Sequence, residues 1–310
     1  MTDSAPCSAS AAARARSPLR IGVAYGLAAY VWWGLSVVYF KWVAHVPPLE
    51  LVAHRTVWSA VLLAGLMVLR GHWATALAAI RRPRVLLMLV ATTALVACNW
   101  FTFLWAVIHD NIVQASLGYF INPLVNVFLG FAFLGERLCR MQWISVACAG
   151  IGVSAMTIQL GGLPVIALIL AVTFGLYALL RKTAPVDAMV GLSIETLMLL
   201  PISTGYLAWI AVRGNLTFGH DSLGTDLLLI LAGAVTALPL LWFTHAARRL
   251  TLSTVGLMQY LAPSMQLMIG VIAYAEPFTR GHAASFAFIW AGLALYSWDS
   301  VRAQRQRNRA

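Results

Sequence analysis

The sequence predicts an all-α membrane protein whose ten transmembrane helices form two inverted five-helix repeats. Three observations support this class: the composition, the spacing of the apolar segments and the distribution of positive charge. Of the 310 residues, 61% are hydrophobic and only 10% are charged. A soluble domain usually carries about 25% charged residues, so we expect lipid to cover most of the surface of this protein.

Long apolar segments recur along the chain, each close to the roughly 20 residues that a helix needs to cross a bilayer. Short connections with proline, glycine or charge separate them. The ten predicted spans are 21–40, 51–69, 85–107, 115–134, 142–159, 164–180, 191–212, 227–245, 253–274 and 284–301. Residues 1–20 lack an apolar period and are predicted to be a disordered cytoplasmic tail, and residues 302–310 a basic cytoplasmic tail. The first span is too long for the core of a signal peptide, about 7–15 residues.

Positive charge supports this segmentation and predicts the orientation of the chain. With ten spans, the 21 Lys and Arg residues collect on the side of the amino terminus, with four exceptions: Lys41, Arg213, Arg280 and, inside the second span, Arg55. Cytoplasmic loops are rich in Lys and Arg, so both termini are predicted to be cytoplasmic. The net charge of +11 is then a sign of membrane orientation, and we expect no nucleic-acid partner.

The four cysteines predict neither a disulfide framework nor a metal site. They form no CxxC pair, and no histidine lies at ligand spacing from them. Nothing else in the sequence indicates a cofactor. The cysteines are Cys7, Cys98, Cys139 and Cys148.

The two halves of the chain, 21–159 and 164–301, resemble each other at an offset of about 140 residues. The matched positions include Pro123 with Pro263, Gly130 with Gly270, Glu136 with Glu276, and Arg140 with Arg280. Because each half has an odd number of spans, the halves are predicted to cross the membrane in opposite directions. Inverted repeats are typical of secondary transporters, whose substrate site lies near the midplane between the repeats.

Local motifs add a family resemblance. The segment from Ala115 to Asn126, followed by Gly135 to Leu138 and then by Met141 to Trp143, resembles the RarD family, in the EamA branch of the drug/metabolite transporter superfamily. The same family pattern includes His54-Arg55 and Asn99-Trp100. The resemblance covers roughly residues 20–300. It implies ten helices in two EamA-type repeats and a permease of the bacterial inner membrane.

One feature departs from the wider superfamily. The small multidrug branch of that superfamily uses a carboxylate in its first helix for proton coupling. The predicted first span here, 21–40, contains no Asp or Glu. That coupling mechanism is therefore not carried over to this chain.

Ionisable residues inside spans are functional candidates, because a charge at a helix centre costs about 2.5–3.5 kcal/mol on insertion scales. Glu195 is a candidate for proton coupling or for binding a substrate amine, and equally for a structural partner of a nearby cation or a helix-end residue that reaches the membrane interface. His54, at the position that the repeat offset relates to Glu195, is assigned to coupling as well. Arg55 is a candidate for binding an anionic substrate through two hydrogen bonds, or for reaching the membrane surface.

The fourth span carries small and amide side chains on one face. Gly118, Asn122, Asn126 and Gly130 recur every four residues and therefore share that face. Residues of this kind favour close helix packing with interhelical hydrogen bonds. Packing alone explains the glycines, whereas the two asparagines are predicted to line a cavity.

Two prolines lie at matched positions of the fourth and ninth spans. Pro123 removes one backbone hydrogen bond and frees the carbonyl of Tyr119, and Pro263 does the same for Gln259. Helices interrupted at corresponding positions of two repeats indicate a transport site. The predicted substrate-binding residues are Asn99, Tyr119, Asn122, Asn126, Gln259, Gln266, Trp242 and Arg55.

The function predicted from these features is secondary transport by alternating access through a central cavity. No Walker motif is present, so ATP is not the direct energy source, and protons are the candidate coupling ion. We expect a small-molecule substrate, surrounding lipid and a monomer or homodimer. An intramembrane enzyme and a non-transporting sensor or scaffold are the alternatives. The HExxH and GxSxG motifs that would favour an enzyme are absent.

Overall fold

The computed structural model of the chain describes residues 7–108, 112–138, 140–159 and 165–273, with the single positions 287 and 291. Over these residues the chain is helical, with no strand. The helices are α1 Cys7–Trp42, α2 Pro48–Leu69, α3 Trp73–Ile80, α4 Pro83–Ile108, α5 Ile112–Leu134, α6 Arg140–Gln159, α7 Val165–Thr183, α8 Ala188–Val212, α9 Leu223–Ala247, α10 Leu252–Met258 and α11 Leu261–Ala273.

Seven segments in the described part of the chain are long and apolar enough to cross a membrane. The last of them, Leu252–Ala273, combines α10 and α11, and a shorter apolar stretch, Gly118–Leu134, lies within α5. The protein is therefore an all-helical, multi-span membrane protein. The predicted tenth span, 284–301, and the basic tail, 302–310, lie outside the described residues except for positions 287 and 291.

Three local features differ from the sequence-based segmentation. α1 begins at Cys7, so residues 7–20 are helical where disorder was expected; alanine and arginine, which dominate this stretch, are strong helix formers. The short helix α3 occupies the connection after α2 and was not predicted. The third difference is at Pro123, where an interruption was predicted and α5 stays helical. At the matched Pro263, in contrast, the ninth span is divided at Gln259 and Tyr260 into α10 and α11, since proline clashes with the carbonyl four residues earlier.

Glycines allow several helices to pack closely. A Cβ atom at Gly118 of α5 would lie 3.0 Å from the Ala167 carbonyl of α7, and one at Gly233 of α9 would lie 2.4 Å from the backbone of Trp58 in α2. The Ser59 hydroxyl of α2 donates a hydrogen bond of 3.0 Å to the Gly233 carbonyl. Small residues let helix backbones approach in this way within a bilayer, and here they bring α5 against α7 and α2 against α9.

Charged side chains fix the ends of several helices. The Glu136 carboxylate accepts hydrogen bonds from the backbone N–H of Leu252 and of Ser253, at 2.6 and 3.0 Å, and so caps α10. Lys182 donates to the carbonyls of Ala247, at 2.9 Å, and of Leu250, near the end of α9. An anion at a helix start and a cation at a helix end both complement the helix dipole.

Asp187 caps the start of α8 by accepting a hydrogen bond of 2.9 Å from the Met189 N–H. Partial burial raises the pKa of Asp187, but this hydrogen bond and the nearby His245 and Arg248 outweigh burial. The pKa of Asp187 therefore lies below its ordinary value, and the cap stays charged at neutral pH.

Candidate functional site

An internal cavity lies where α2, α4, α7, α8 and α9 meet. Its volume is about 20 Å³, which is room for about one water molecule. Residues with polar side chains join its wall from α2, α7, α8 and α9, and Trp100 of α4 adds an aromatic ring, although the surface facing the cavity is almost wholly apolar. The polar lining residues are Thr56, Ser59, Tyr177, Glu195, Thr196 and Thr236.

A buried ion pair lies beside this cavity. The Arg181 guanidinium, at the end of α7, is 1% exposed, and the Glu195 carboxylate of α8 is 2% exposed. Their nearest atoms, Nη1 and Oε1, are 3.5 Å apart. Arg181 also donates a hydrogen bond of 2.9 Å from Nη2 to the Ala188 carbonyl. The pair joins α7 to α8 inside the protein.

Two hydroxyl groups complete the surroundings of Glu195. Thr92 of α4 donates to Oε1 at 2.5 Å, and Tyr177 of α7 donates to Oε2 at 3.3 Å. Charge-assisted hydrogen bonds of this kind stabilise a buried carboxylate. Three helices therefore meet at one acidic side chain.

Gly191 makes room for the guanidinium. A Cβ atom at this position would lie 2.0 Å from Nη1 of Arg181. Within the described residues, Nε and Nη1 of Arg181 have no hydrogen-bond partner. Arg181 is thus held by one hydrogen bond, one ion pair and a close fit against α8.

Arg55 of α2 lies next to the same cavity in a different setting. Its Nε atom donates a hydrogen bond of 2.8 Å to the Thr236 hydroxyl of the cavity wall. The centre of its guanidinium is 5.3 Å from the centroid of the Trp100 ring and 5.6 Å from that of Phe40. No carboxylate of the described residues lies within 4 Å of it. Arg55 is therefore bound by a hydroxyl and two aromatic rings without a counter-ion.

His54 has separate neighbours from those of Glu195. Its Nε2 atom is 3.8 Å from the Glu50 carboxylate, and Trp58 donates a hydrogen bond of 3.3 Å to its Nδ1 atom. The His54 ring also lies 5.0 Å from that of Phe218. The structure does not bring His54 into the wall of the cavity, so its coupling role stays a prediction.

The predicted amide residues are bound to neighbouring helices. Asn99 donates to the Leu170 carbonyl at 2.9 Å, and Asn122 donates to the Ala171 carbonyl at 2.7 Å. These two hydrogen bonds attach α4 and α5 to α7. Neither asparagine contributes to the cavity wall.

A second amide group joins α5 to the joint between α10 and α11. Asn126 donates to Asn122 at 3.0 Å and to the Gln259 amide oxygen at 3.2 Å. Gln266 donates to the Trp33 carbonyl of α1 at 3.0 Å. The Asn126 amide oxygen is buried without a partner among the described groups. The amide groups therefore connect helices here, and their contact with a substrate stays a prediction.

The remaining predicted aromatic residues form ring contacts away from the cavity wall. Tyr119 packs against Phe103 with ring centroids 6.1 Å apart, and Trp242 packs against Trp32 at 5.7 Å. Of the predicted substrate-binding and coupling residues, Glu195 alone is part of the described cavity wall, and Arg55 lies behind that wall, hydrogen-bonded to its Thr236. Sequence reasoning missed Arg181, Thr92, Tyr177 and Thr236, and it placed Arg181 in a loop, because a terminal Arg-Lys pair usually faces water.

Fold and composition together define a multi-span, all-helical membrane protein, and comparisons with known proteins identify its family. Residues 20–158 match the EamA-like transporter family. The chain is 43% identical over 290 residues to "Protein RarD" of Escherichia coli, covering 94% of this chain and 98% of that protein. It is 44% identical over 289 residues to an "Uncharacterized transporter" of Vibrio cholerae, covering 93% and 96%.

A further relative is "Chloramphenicol-sensitive protein RarD" of Pseudomonas aeruginosa, 32% identical over 292 residues, which cover 93% of this chain and 97% of that protein. One solved crystal structure has a TM-score of 0.69 at 19% identity and covers 93% of this chain and 99% of the other; it shows the shared fold. The chain belongs to the RarD family of EamA-like transporters, which confirms the resemblance found in the sequence motifs.

Proposed function

We propose that the protein is a secondary transporter of the bacterial inner membrane that moves small metabolites or drug-like molecules by alternating access. The observation that carries this proposal is the cavity with a buried carboxylate, Glu195, on its wall. α2 and α4 belong to the first predicted repeat, and α7, α8 and α9 belong to the second. A site between repeats is where such transporters bind their substrates.

The helix directions support two inverted repeats. α5 and α7 are parallel, since Gly118 contacts Ala167 whereas Gly175, further along α7, contacts Val125. Successive spans reverse direction, so α5, as the fourth span, runs opposite to α1. α7, as the first span of the second repeat, therefore runs opposite to α1 as inversion requires. In this arrangement the distribution of Lys and Arg supports a cytoplasmic location for both termini.

The proposed cycle starts from a closed state. A cavity with room for one water molecule holds no metabolite, so substrate entry requires the two halves to separate on one side. Protons are the proposed coupling ion, and Glu195 is the proposed carrier. Protonation of Glu195 removes its charge attraction for Arg181, so proton binding and the contact between α7 and α8 are linked. Two complete repeats in one chain permit a monomer to work.

Site-directed labelling tests alternating access without knowledge of the substrate. The experiment places a single cysteine at Ser59, on the cavity wall, and measures the mass added by a membrane-impermeant maleimide. The labelling is carried out in right-side-out and in inside-out vesicles. The matched control is Val61→Cys, on the same helix, where the side chain is 57% exposed on the outer surface and so faces lipid. Both variants are made in a background without the native cysteines, Cys7, Cys98, Cys139 and Cys148.

We expect Ser59→Cys to react from both sides of the membrane, because the two open states expose the cavity alternately. Val61→Cys should react from neither side. Labelling of Ser59→Cys from one side only, or from no side, would contradict alternating access through this cavity.

A further inference from the structure

The two arginines beside the cavity leave one positive charge without a partner. Arg181 is matched by Glu195 at 3.5 Å. No carboxylate of the described residues forms an ion pair with Arg55. The ionisable groups that interact with its charge are the phenols of Tyr39 and Tyr119. A phenol is uncharged at neutral pH. Arg55 therefore places an unmatched positive charge directly behind Thr236 of the cavity wall.

The hydrogen-bonding groups of Arg55 are only partly used. The Nε–H donates to Thr236 at 2.8 Å, which fixes the orientation of the guanidinium plane. No described residue accepts a hydrogen bond from either Nη group of Arg55. A guanidinium with both Nη groups available matches the two oxygens of a carboxylate. Thr236 therefore orients the guanidinium and leaves its two Nη groups available to an acceptor.

Energetics favour a bound anion at this position. Arg55 lies seven residues into α2, so its charge is in the membrane-spanning part of the protein. An arginine held there without a counter-ion is costly, and such residues mark substrate paths. A ligand that supplies a negative charge would remove this cost at the moment of binding. The unpaired charge of Arg55 therefore lowers the stability of the ligand-free protein and strengthens the binding of an anion.

The aromatic rings around Arg55 indicate what kind of anion would fit beside it. Phe40 and Trp100 lie 5.6 and 5.3 Å from the centre of the guanidinium, and Tyr119 is in contact with Phe103 nearby. Aromatic walls with few polar groups bind flat, apolar molecules. This surface would not favour a strongly hydrated inorganic anion.

We propose that Arg55 is the anion-recognition residue of the transport site and that the substrate class is a small organic monoanion with a flat, apolar body. This inference rests on the proposed transport function. Thr236 is the positioning residue for Arg55, and Phe40 with Trp100 forms the apolar wall.

The test uses two matched pairs of probes: benzoate with benzamide, and indole-3-acetate with indole-3-acetamide. Each pair has the same flat body and differs in charge. Purified full-length protein in detergent micelles is heated at neutral pH over a range of probe concentrations, and the shift in Tm gives an apparent Kd. The variants are Arg55→Gln, Thr236→Val and, as the matched control, Arg213→Gln. Arg213 also stacks on a tryptophan, at 4.3 Å from the Trp209 ring, but lies exposed at the end of α8.

We expect the two carboxylates, and neither amide, to raise the Tm of the wild-type protein. Arg55→Gln should weaken the apparent Kd about tenfold to a hundredfold, because charged hydrogen bonds contribute about 1.5–3 kcal/mol. Thr236→Val should weaken it less, and Arg213→Gln should leave it unchanged. Equal protection by the amides, no response to either carboxylate, or a wild-type response in Arg55→Gln would each overturn the proposal.

The labelling experiment separates this inference from the transport function itself. Two-sided labelling of Ser59→Cys without carboxylate binding would overturn the anion site and leave alternating access standing. Carboxylate binding that requires Arg55, without two-sided labelling, would establish the site and contradict transport through the cavity.

Discussion

Arg181 and Arg55 lie beside the same cavity, yet their surroundings are opposite. Arg181 is sealed between α7 and α8 with a carboxylate 3.5 Å away and a backbone carbonyl at 2.9 Å. Arg55 has aromatic rings and one hydroxyl around it, and no acid among the described residues. A buried charge with a partner, such as Arg181, supports the packing of helices, whereas a half-buried charge without a carboxylate partner, such as Arg55, is available to a ligand.

The largest effect is expected from removal of Arg181. Arg181→Met leaves the Glu195 carboxylate buried without a counter-ion, which should lower the free energy of unfolding by about 3–5 kcal/mol. Unfolding in mixed detergent micelles, followed by circular dichroism, measures this change. Adding Glu195→Met to Arg181→Met should recover most of the loss, since no lone charge remains. Single and double variants of equal stability would show that the two side chains do not act as a pair.

A smaller effect is expected where the fit around Arg181 is disturbed. Gly191→Ala places a methyl group 2.0 Å from the present position of Nη1, so the guanidinium must move away from Glu195. Overpacking of this kind usually costs about 1–3 kcal/mol. The matched control is Gly65→Ala in α2, where no atom lies within 4 Å of the new methyl group. That control should be as stable as the wild type or gain about 0.5–1 kcal/mol, as measured by the same unfolding assay.

The smallest effect on stability is expected at Arg55. Arg55→Gln removes a cation that has no counter-ion, so the ligand-free protein should lie within about 1 kcal/mol of wild type or be more stable. The ligand-free Tm and the unfolding assay both report this change. A loss as large as that of Arg181→Met would mean that Arg55 has a structural role and would remove the contrast between the two arginines.

The sequence was sufficient to predict the helical membrane class because apolar length and loop charge are local properties. The spans that became α2, α4 and α8 were located to within a few residues at each end. The family motifs, such as Asn99-Trp100, could also be recognised in the sequence, because each is a short run of consecutive residues. Glu195 was recognised because an acid within an apolar segment is conspicuous whatever surrounds it.

The contacts that these side chains make could not be predicted from the sequence, because they depend on which helices pack against each other. The pairing of Thr92 with Glu195 joins positions 103 residues apart. Arg181 looked like a loop residue because nothing local shows that α8 folds back over it, with Gly191 against the guanidinium. The amides of Asn122 and Asn126 were readable as one polar face, but only packing shows that α7 and Gln259 occupy that face.

The joint between α10 and α11 has a consequence for movement. Two tyrosine hydroxyls tie this joint to neighbouring helices: Tyr30 of α1 donates to the Val255 carbonyl of α10 at 2.9 Å, and Tyr260, in the joint itself, donates to the Phe120 carbonyl of α5 at 3.1 Å. A helix bends at the least cost where its regular ladder of backbone bonds is already interrupted. Bending at Gln259 would therefore break fewer backbone hydrogen bonds than bending an unbroken span, which matters because unpaired backbone groups are costly inside a bilayer.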